Sequence, residues 1–443
     1  MPYNENDIKM PSTTSSKDSA RAVRAVWAVA AFALMVGAAL PSGGQTPISS
    51  NNWIGTWTAS PQPKWDGDFP LPALVPFNLW NQTVRQIVGV SLGGTHIRVV
   101  LSNAYGSEPL VIGAAHVALA ASGTISGGSI APASDRVITF GGKTTVTIPP
   151  GAPVVSDPVD LTVPALGRLA VSLFLPEPSP TSTFHWDGEQ TGYIVAGNQV
   201  TAAGMEGATK ITSRVYLSEI LVDAPAGARS VVGFGDSITD GAGSTLDTDH
   251  RWTDFLAQRL ATDNVSVLNA GISGARMLKD RMGTNALARF DRDVLSQPHV
   301  KTVIVLMGIN DISWPGHIYA PRDPALTPDE LITGYRQLIA RARSNRVRIV
   351  GATLTPFEGA LENTPLKGYY STAKDQVRQA VNTWIRTSGE FDAVIDLDAL
   401  MRDPQHPTRL RPAFDSGDHL HPGDAGYKIM ADALESKLLF GGR

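Results

Sequence analysis

The chain has 443 residues, more than one hydrophobic core usually serves, so two folded domains are expected. Apolar residues make up 42% and charged residues 18%, ordinary for a soluble globular protein; the net charge is only -4 with no dense Lys/Arg stripe, which argues against nucleic acid or an anionic membrane as the main partner. There are no cysteines, which excludes disulfides, thiolate nucleophiles and Cys-based metal sites.

Arg21 and Arg24 precede an uncharged run from Ala25 to Leu40, broken by Pro41-Ser42-Gly43-Gly44. The run falls short of the ~20 residues that cross a bilayer as a helix. A basic flank, an apolar centre and small residues after it read as a secretory signal. Residues 1–44 are therefore expected to be signal and linker. The mature protein is expected to be secreted or periplasmic, with no stable membrane insertion once the signal is removed.

Residues 45–226 alternate in short bursts rich in β-branched side chains. Thr83 to Leu92, His96 to Leu101, Leu110 to Leu119, Arg136 to Phe140, Thr144 to Ile148, Arg168 to Leu175 and Val215 to Val222 all read as strands. Gly93-Gly94 and Gly141-Gly142 separate pairs of these runs, where a tight hairpin is expected. The spacing predicts an all-β sandwich or jelly roll. Trp53, Trp57, Trp65, Trp80 and Trp186 fall in this half, most of them expected in its core, with stacking on sugar rings as the rival reading. The segment Phe184-His185-Trp186-Asp187 is expected in a loop and is a further candidate, as one wall of a substrate cleft.

Residues 227–443 change to a strand, helix, strand rhythm. Ser230 to Phe234, Val265 to Leu268, Thr302 to Met307, Arg348 to Leu354 and Ala393 to Leu397 read as buried strands. Helices are expected over Arg251 to Thr262, Asn285 to Leu295, Pro328 to Asn345, Ser371 to Thr387 and Ala425 to Leu438. That alternation predicts a parallel sheet with helices on both faces, with reactive groups gathered at the carboxyl ends of the strands.

Four segments fall at those ends or just before the last helix. Ser237 lies in Gly233-Phe234-Gly235-Asp236-Ser237-Ile238-Thr239-Asp240-Gly241; Asn269 to Gly274 follows the next strand; Gly308-Ile309-Asn310-Asp311 follows the third; Asp418-His419-Leu420-His421 precedes the closing helix. A serine hydroxyl is a poor nucleophile near neutral pH, so a serine offered with an imidazole and an orienting carboxylate suits acyl transfer. Spacing alone does not choose between His419 and His421, or between Asp415 and Asp418. Asp236, Asp240 and Asp311 are expected to make local turn or cap hydrogen bonds. No HExxH or paired-ligand spacing joins the histidines, and the Gly233-x-Gly235 stretch lacks the third glycine of a dinucleotide loop, so neither a metal nor another cofactor is expected.

In order and content these four blocks resemble the SGNH, or GDSL, hydrolase superfamily over Arg229 to the C-terminus. The resemblance implies a flavodoxin-like α/β fold and ester cleavage. It implies Ser237 as nucleophile, His421 as general base and Asp418 as its orienting acid, through the pattern Asp-x-x-His. It also implies an oxyanion hole built from the Ser237 N–H, the Gly274 N–H and the Asn310 side-chain amide. The layout is similar to two-domain carbohydrate acetylesterases, without a shared motif. The expected function is a serine esterase of short-chain carboxylic esters, acting on a small-molecule or glycan-linked ester. The alternatives are a polysaccharide O-acetylesterase and, from another class, a non-catalytic glycan-binding protein.

Overall fold

Val231, Val232 and Phe234 are wholly buried because the strand that carries them, Arg229–Gly235, is covered on both faces. The computed structural model describes residues 52–65, 67, 69–121 and 128–441; the expected signal segment, residues 1–44, lies outside them. The described residues fall in one compact unit, Asn51–Arg443. Arg229–Gly235 pairs in parallel with Val265–Gly271 on one side and Val300–Leu306 on the other. Arg348–Ala352 and Ala393–Ile395 extend the sheet outward. The order is thus second, first, third, fourth, fifth, the flavodoxin-like arrangement whose ligands sit beyond the carboxyl ends of the strands.

Helices cover this sheet for reasons legible in their sequences. Pro328–Ser344 opens with Pro at its first position and a capping box in which Thr327 and Glu330 satisfy each other's free backbone groups. Its inward stripe, Leu331, Tyr335, Leu338, Ile339 and Ala342, enters the main core. Each large apolar side chain buried there stabilises by roughly 1.5–3 kcal/mol, so a charge at Leu338 would unseat the helix. Thr372–Thr387 follows Ser371, whose side chain caps Lys374 N–H. Two expected helices are broken. Ala286–Phe290 runs into a π-turn at Asp291–Leu295, and the closing stretch divides into Asp424–Asp432 and Ser436–Phe440.

The first half is a sandwich of two antiparallel sheets. One has the path Trp53–Thr58, Leu217–Asp223, Gly94–Ser102, Pro153–Val155, with Val159–Val163 also on Gly94–Ser102. The other runs Thr209–Ile211, Gly192–Ala196, Gln82–Gly89, Arg168–Leu175, Ala114–Leu119, Arg136–Val137. Along Arg168–Leu175 the side chains alternate between faces. Leu169, Val171, Leu173 and Leu175 enter the inter-sheet core, whereas Ala170 joins Ile87, Ala118 and Tyr193 on the outer face. The hairpin expected at Gly141-Gly142 forms, with Phe140 and Lys143 exchanging backbone hydrogen bonds. The one expected at Gly93-Gly94 does not. Its flanking strands lie in different sheets, so those glycines carry the chain across the sandwich.

The sandwich abuts the edge strand Val265–Gly271. Thr58 Oγ1 donates to Asn269 O at 2.8 Å, Val267 N–H donates to Ser91 Oγ at 3.2 Å, and Ser266 Oγ donates to Gly55 O. Among the described residues no helix is long and apolar enough to cross a membrane.

Candidate active site

The strand Arg229–Gly235 ends in a tight turn onto the short helix Ser237–Asp240. A Cβ at Gly235 would lie 2.1 Å from Thr239 Oγ1 and 2.6 Å from Leu306 O, so the turn closes only on glycine. Asp236 caps the helix, accepting from Ile238 N–H at 3.1 Å. Its other oxygen has no hydrogen-bond partner, and burial pushes the carboxyl up to about 7 against that N–H bond. Arg289 holds the strand ends, donating to Gly235 O and Ala270 O, each at 2.8 Å.

Ser237 starts the helix, 7% exposed. His421 Nε2 lies 2.8 Å from its Oγ, and His421 Nδ1 lies 2.6 Å from Asp418 Oδ2. A carboxylate at Nδ1 makes that nitrogen the N–H donor, which leaves Nε2 to accept the serine proton. Asp418 Oδ1 also accepts from Leu420 N–H at 2.9 Å and His421 N–H at 2.8 Å. Burial pulls the Asp418 carboxyl upward, but the His421 ring and these backbone donors together outweigh it and hold it well below the usual carboxylate range. Asp418 is therefore ionised wherever the imidazole needs an anion.

Spacing left His419 open because an extended segment would face both histidines the same way. The segment is not extended. His419 sits at φ 63° and turns out to Asp415, with Nδ1 at 2.5 Å from Oδ2. The two histidines thus take separate carboxylates, and only His421 meets the serine.

Gly274 and Asn310 complete the expected set. Gly274 has φ 73°, and a Cβ there would lie 2.1 Å from Met282 Sδ, so both the backbone angle and the close approach call for glycine. Neither Ser237 N–H nor Gly274 N–H donates to a protein acceptor among the described residues. Asn310 lies on Ile309–Ser313, just past the strand Val300–Leu306. Its Oδ1 accepts from Trp314 Nε1 at 3.1 Å and from Tyr369 O–H at 2.5 Å. That fixes which end of the amide is nitrogen. One Nδ2 hydrogen goes to Ala275 O at 2.9 Å, and the other is left to donate. Burial raises the Tyr369 phenol well above its ordinary value, so it stays a donor.

Of the three aspartates expected to make local turn or cap bonds, only Asp236 does; the side chains of Asp240 and Asp311 bind segments more than thirty positions away, because the loops at the strand ends fold against one another. Asp311 accepts from Met277 N–H at 2.7 Å and Leu278 N–H at 3.0 Å. Asp240 Oδ2 accepts from Ser273 N–H at 2.9 Å and Ser273 Oγ at 2.8 Å. Residues of both halves gather in an aromatic cluster beside these loops: Trp65, Phe69 and Phe184 pack with Ile309, Trp314, Tyr369 and Leu420, and Trp186 leans on them. Phe184 and His185 are in a short strand, Thr183–His185, rather than the expected loop. Trp57 packs in the sandwich core and Trp80 is 66% exposed.

Sequence reasoning missed Trp314 and Tyr369. Trp314 stands one helical turn after Asn310 and could have been found by that spacing; nothing local marks Tyr369. A cavity of about 280 Å³ lies elsewhere, between Trp57, Arg168, Asp249 and Asn269, and none of the five expected site residues lines it. Among the described residues no group of His, Asp and Glu could hold a metal ion.

The fold and the family match over its α/β part make this a carboxylic ester hydrolase. The family model for GDSL-like lipase/acylhydrolase matches residues 231–434, and this part of the chain belongs to the SGNH/GDSL hydrolase superfamily. A GDSL-like lipase from Bacteroides thetaiotaomicron is 20% identical, with 47% of this chain and 87% of that one covered and a TM-score of 0.36. The aryl esterase of M. smegmatis is 19% identical, covering 46% and 96%, with a TM-score of 0.36. Est24, a carbohydrate acetylesterase from Sinorhizobium meliloti, is 20% identical, covering 46% and 95%, with a TM-score of 0.35. No curated protein matches the chain.

Proposed function

We propose that the protein is an exported serine esterase that cleaves short-chain carboxylic esters through a covalent acyl-enzyme. The observation that carries this reading is the unbroken line from Asp418 through His421 to Ser237 Oγ, with hydrogen-bond distances of 2.6 and 2.8 Å. Ser237 Oγ attacks the ester carbonyl while His421 Nε2 takes its proton. The carbonyl oxygen becomes an anion facing Ser237 N–H, Gly274 N–H and Asn310 Nδ2. Collapse breaks the bond to the alcohol oxygen, which leaves with the proton from His421. Water then repeats the sequence on the acyl-enzyme, with His421 as base, and releases the acid. The basic, apolar and small-residue blocks before Gln45 support export.

A second reading, an O-acetylesterase of a polysaccharide, is favoured by one observation. Phe77 is 74% exposed and Trp80 66%, and they lie in the same segment as Trp65 and Phe69, whose rings pack beside the site. Lys64 Nζ sits over one face of Phe77, 3.4 Å from its ring centre, which leaves the exposed Trp80 ring as the one suited to stacking on a sugar.

The test is a nitrophenyl-ester series of rising acyl length on wild type and Ser237→Ala. The expected result is turnover that falls with chain length in wild type and disappears in the variant; undiminished turnover in Ser237→Ala rejects the mechanism. Acetate release from acetylated xylan at a rate well above that from nitrophenyl acetate selects the polysaccharide reading.

A further inference from the structure

His185 belongs to the sandwich half, yet both of its ring nitrogens are engaged next to the nucleophile. Nδ1 lies 3.0 Å from Ser60 O and Nε2 lies 2.9 Å from Asp240 Oδ1. The ring is thus held from both of its nitrogens, between a backbone carbonyl of the sandwich half and a carboxylate on the helix that Ser237 begins. All three partners are enclosed: His185, Asp240 and Ser273 are 5%, 2% and 3% exposed. Asp240 ends the helix that Ser237 begins, and its second oxygen holds both the N–H and the hydroxyl of Ser273. Ser273 is joined by one peptide bond to Gly274.

A second contact reaches the same loop from the same half. Met282 O accepts from Trp65 Nε1 at 2.9 Å and from Gln62 Nε2 at 2.5 Å, and the Met282 side chain packs against Gly274. Gln62 Oε1 in turn accepts from Trp186 N–H at 2.9 Å, next to His185. The Gly274 loop is therefore braced at Ser273 by Asp240, which His185 holds from the sandwich half, and at Met282 by Trp65 and Gln62 of that half.

We propose that His185 is a positioning residue for ester hydrolysis: through Asp240 and Ser273 it sets the Gly274 N–H against the Ser237 hydroxyl, so the sandwich half completes the oxyanion hole. This rests on the serine-esterase reading above. The physical reason is that a donor stabilises the developing anion only when it is already aimed, and in a buried site its aim is set by the bonds behind it. An enclosed set of hydrogen-bonded groups holds one geometry, because departing from it strands a buried polar atom without a partner or solvent.

The experiment compares wild type with His185→Phe, His185→Gln, Ser273→Ala and Ser237→Ala, as full chains. Steady-state hydrolysis of nitrophenyl acetate and inhibition by a small alkylboronic acid, which mimics the tetrahedral adduct, are the readouts. His185→Phe keeps a ring but no donor. Its kcat is expected to fall about 10²-fold, the cost of one misplaced oxyanion donor, with boronate affinity falling in parallel and KM nearly constant. A purely structural role would lower the amount of folded enzyme, so apparent kcat would fall while boronate affinity, like KM, stayed at the wild-type value. His185→Gln restores one donor toward Asp240 and is expected to recover part of the loss; Ser273→Ala, which keeps its N–H, is expected to show a smaller kcat defect of the same kind. Wild-type kcat and boronate affinity in His185→Phe overturn the proposal. If that variant does not fold, wild-type values in both His185→Gln and Ser273→Ala overturn it. An active Ser237→Ala removes the reading beneath it, and the proposal with it, whatever the other variants do.

Discussion

Tyr369 O–H donates to Asn310 Oδ1 at 2.5 Å, and with Trp314 Nε1 it fixes which end of that amide is the donor. Asn310→Ala should lower kcat by about 10²- to 10³-fold with little change in KM, because the donor acts on charge present only in the transition state. It also leaves the buried Tyr369 and Trp314 donors unpaired, at a cost of about 1–3 kcal/mol. Kinetics on nitrophenyl acetate together with urea unfolding test both halves; a variant with raised KM and unchanged kcat would show that Asn310 binds substrate in its ground state instead.

Asp418→Asn should fold and bind substrate but lose about 10³- to 10⁴-fold in kcat. An amide can donate to Nδ1, which moves the ring hydrogen to Nε2 and removes the base that Ser237 needs. Loss of a few fold only, measured at saturating substrate, would mean that Asp418 does not control the tautomer of His421.

Gly274→Ala meets two obstacles, a φ of 73° and the Met282 side chain. A Cβ in the left-handed region costs roughly 1–2 kcal/mol, and Met282 must move away from the loop. Lower thermal stability and a kcat defect should therefore appear together. An alanine variant with wild-type Tm and kcat would show that the loop carries no such constraint.

Asp236 gives a prediction about pH. Burial raises its carboxyl to about 7 in the folded chain, whereas an unfolded aspartate ionises near ~3.9. Between these values the unfolded chain has released a proton that the folded chain keeps, so this group's contribution to stability falls as pH rises and levels off above the folded value. Asp236→Asn does not titrate. Its Tm relative to wild type should therefore be higher at about pH 8 than at about pH 5, and an equal difference at both would contradict the raised value.

The strands of the parallel sheet were legible because burial on two faces demands continuous apolar runs, as in Val231-Val232-Gly233-Phe234. The candidate site was legible in blocks because three of the four follow a strand end and the fourth precedes the closing helix, and their order along the chain is their signature. What remained hidden depends on contacts that local pattern does not encode. Gly93-Gly94 has the chemistry of a turn, but turn chemistry does not say whether the next strand pairs with the last one or crosses to the other sheet. The closing stretch from Ala425 has unbroken helical period, yet Leu434 N–H bonds to Ala431 O and the helix ends there. His185 and Tyr369 lie 55 and 59 positions from the residues they hold. Only folding brings them near.

The seam along Val265–Gly271 bears on any attempt to cut the chain into separate halves. In the intact protein, hydroxyls and carbonyls from Gly55, Thr58 and Ser91 engage polar groups of this outermost strand of the parallel sheet. A fragment starting near Ala228 would present that row bare to solvent, where it becomes a template for strands of neighbouring molecules. Such a truncation would be prone to clump before its chemistry could be judged, which makes the sandwich a built-in guard against self-association.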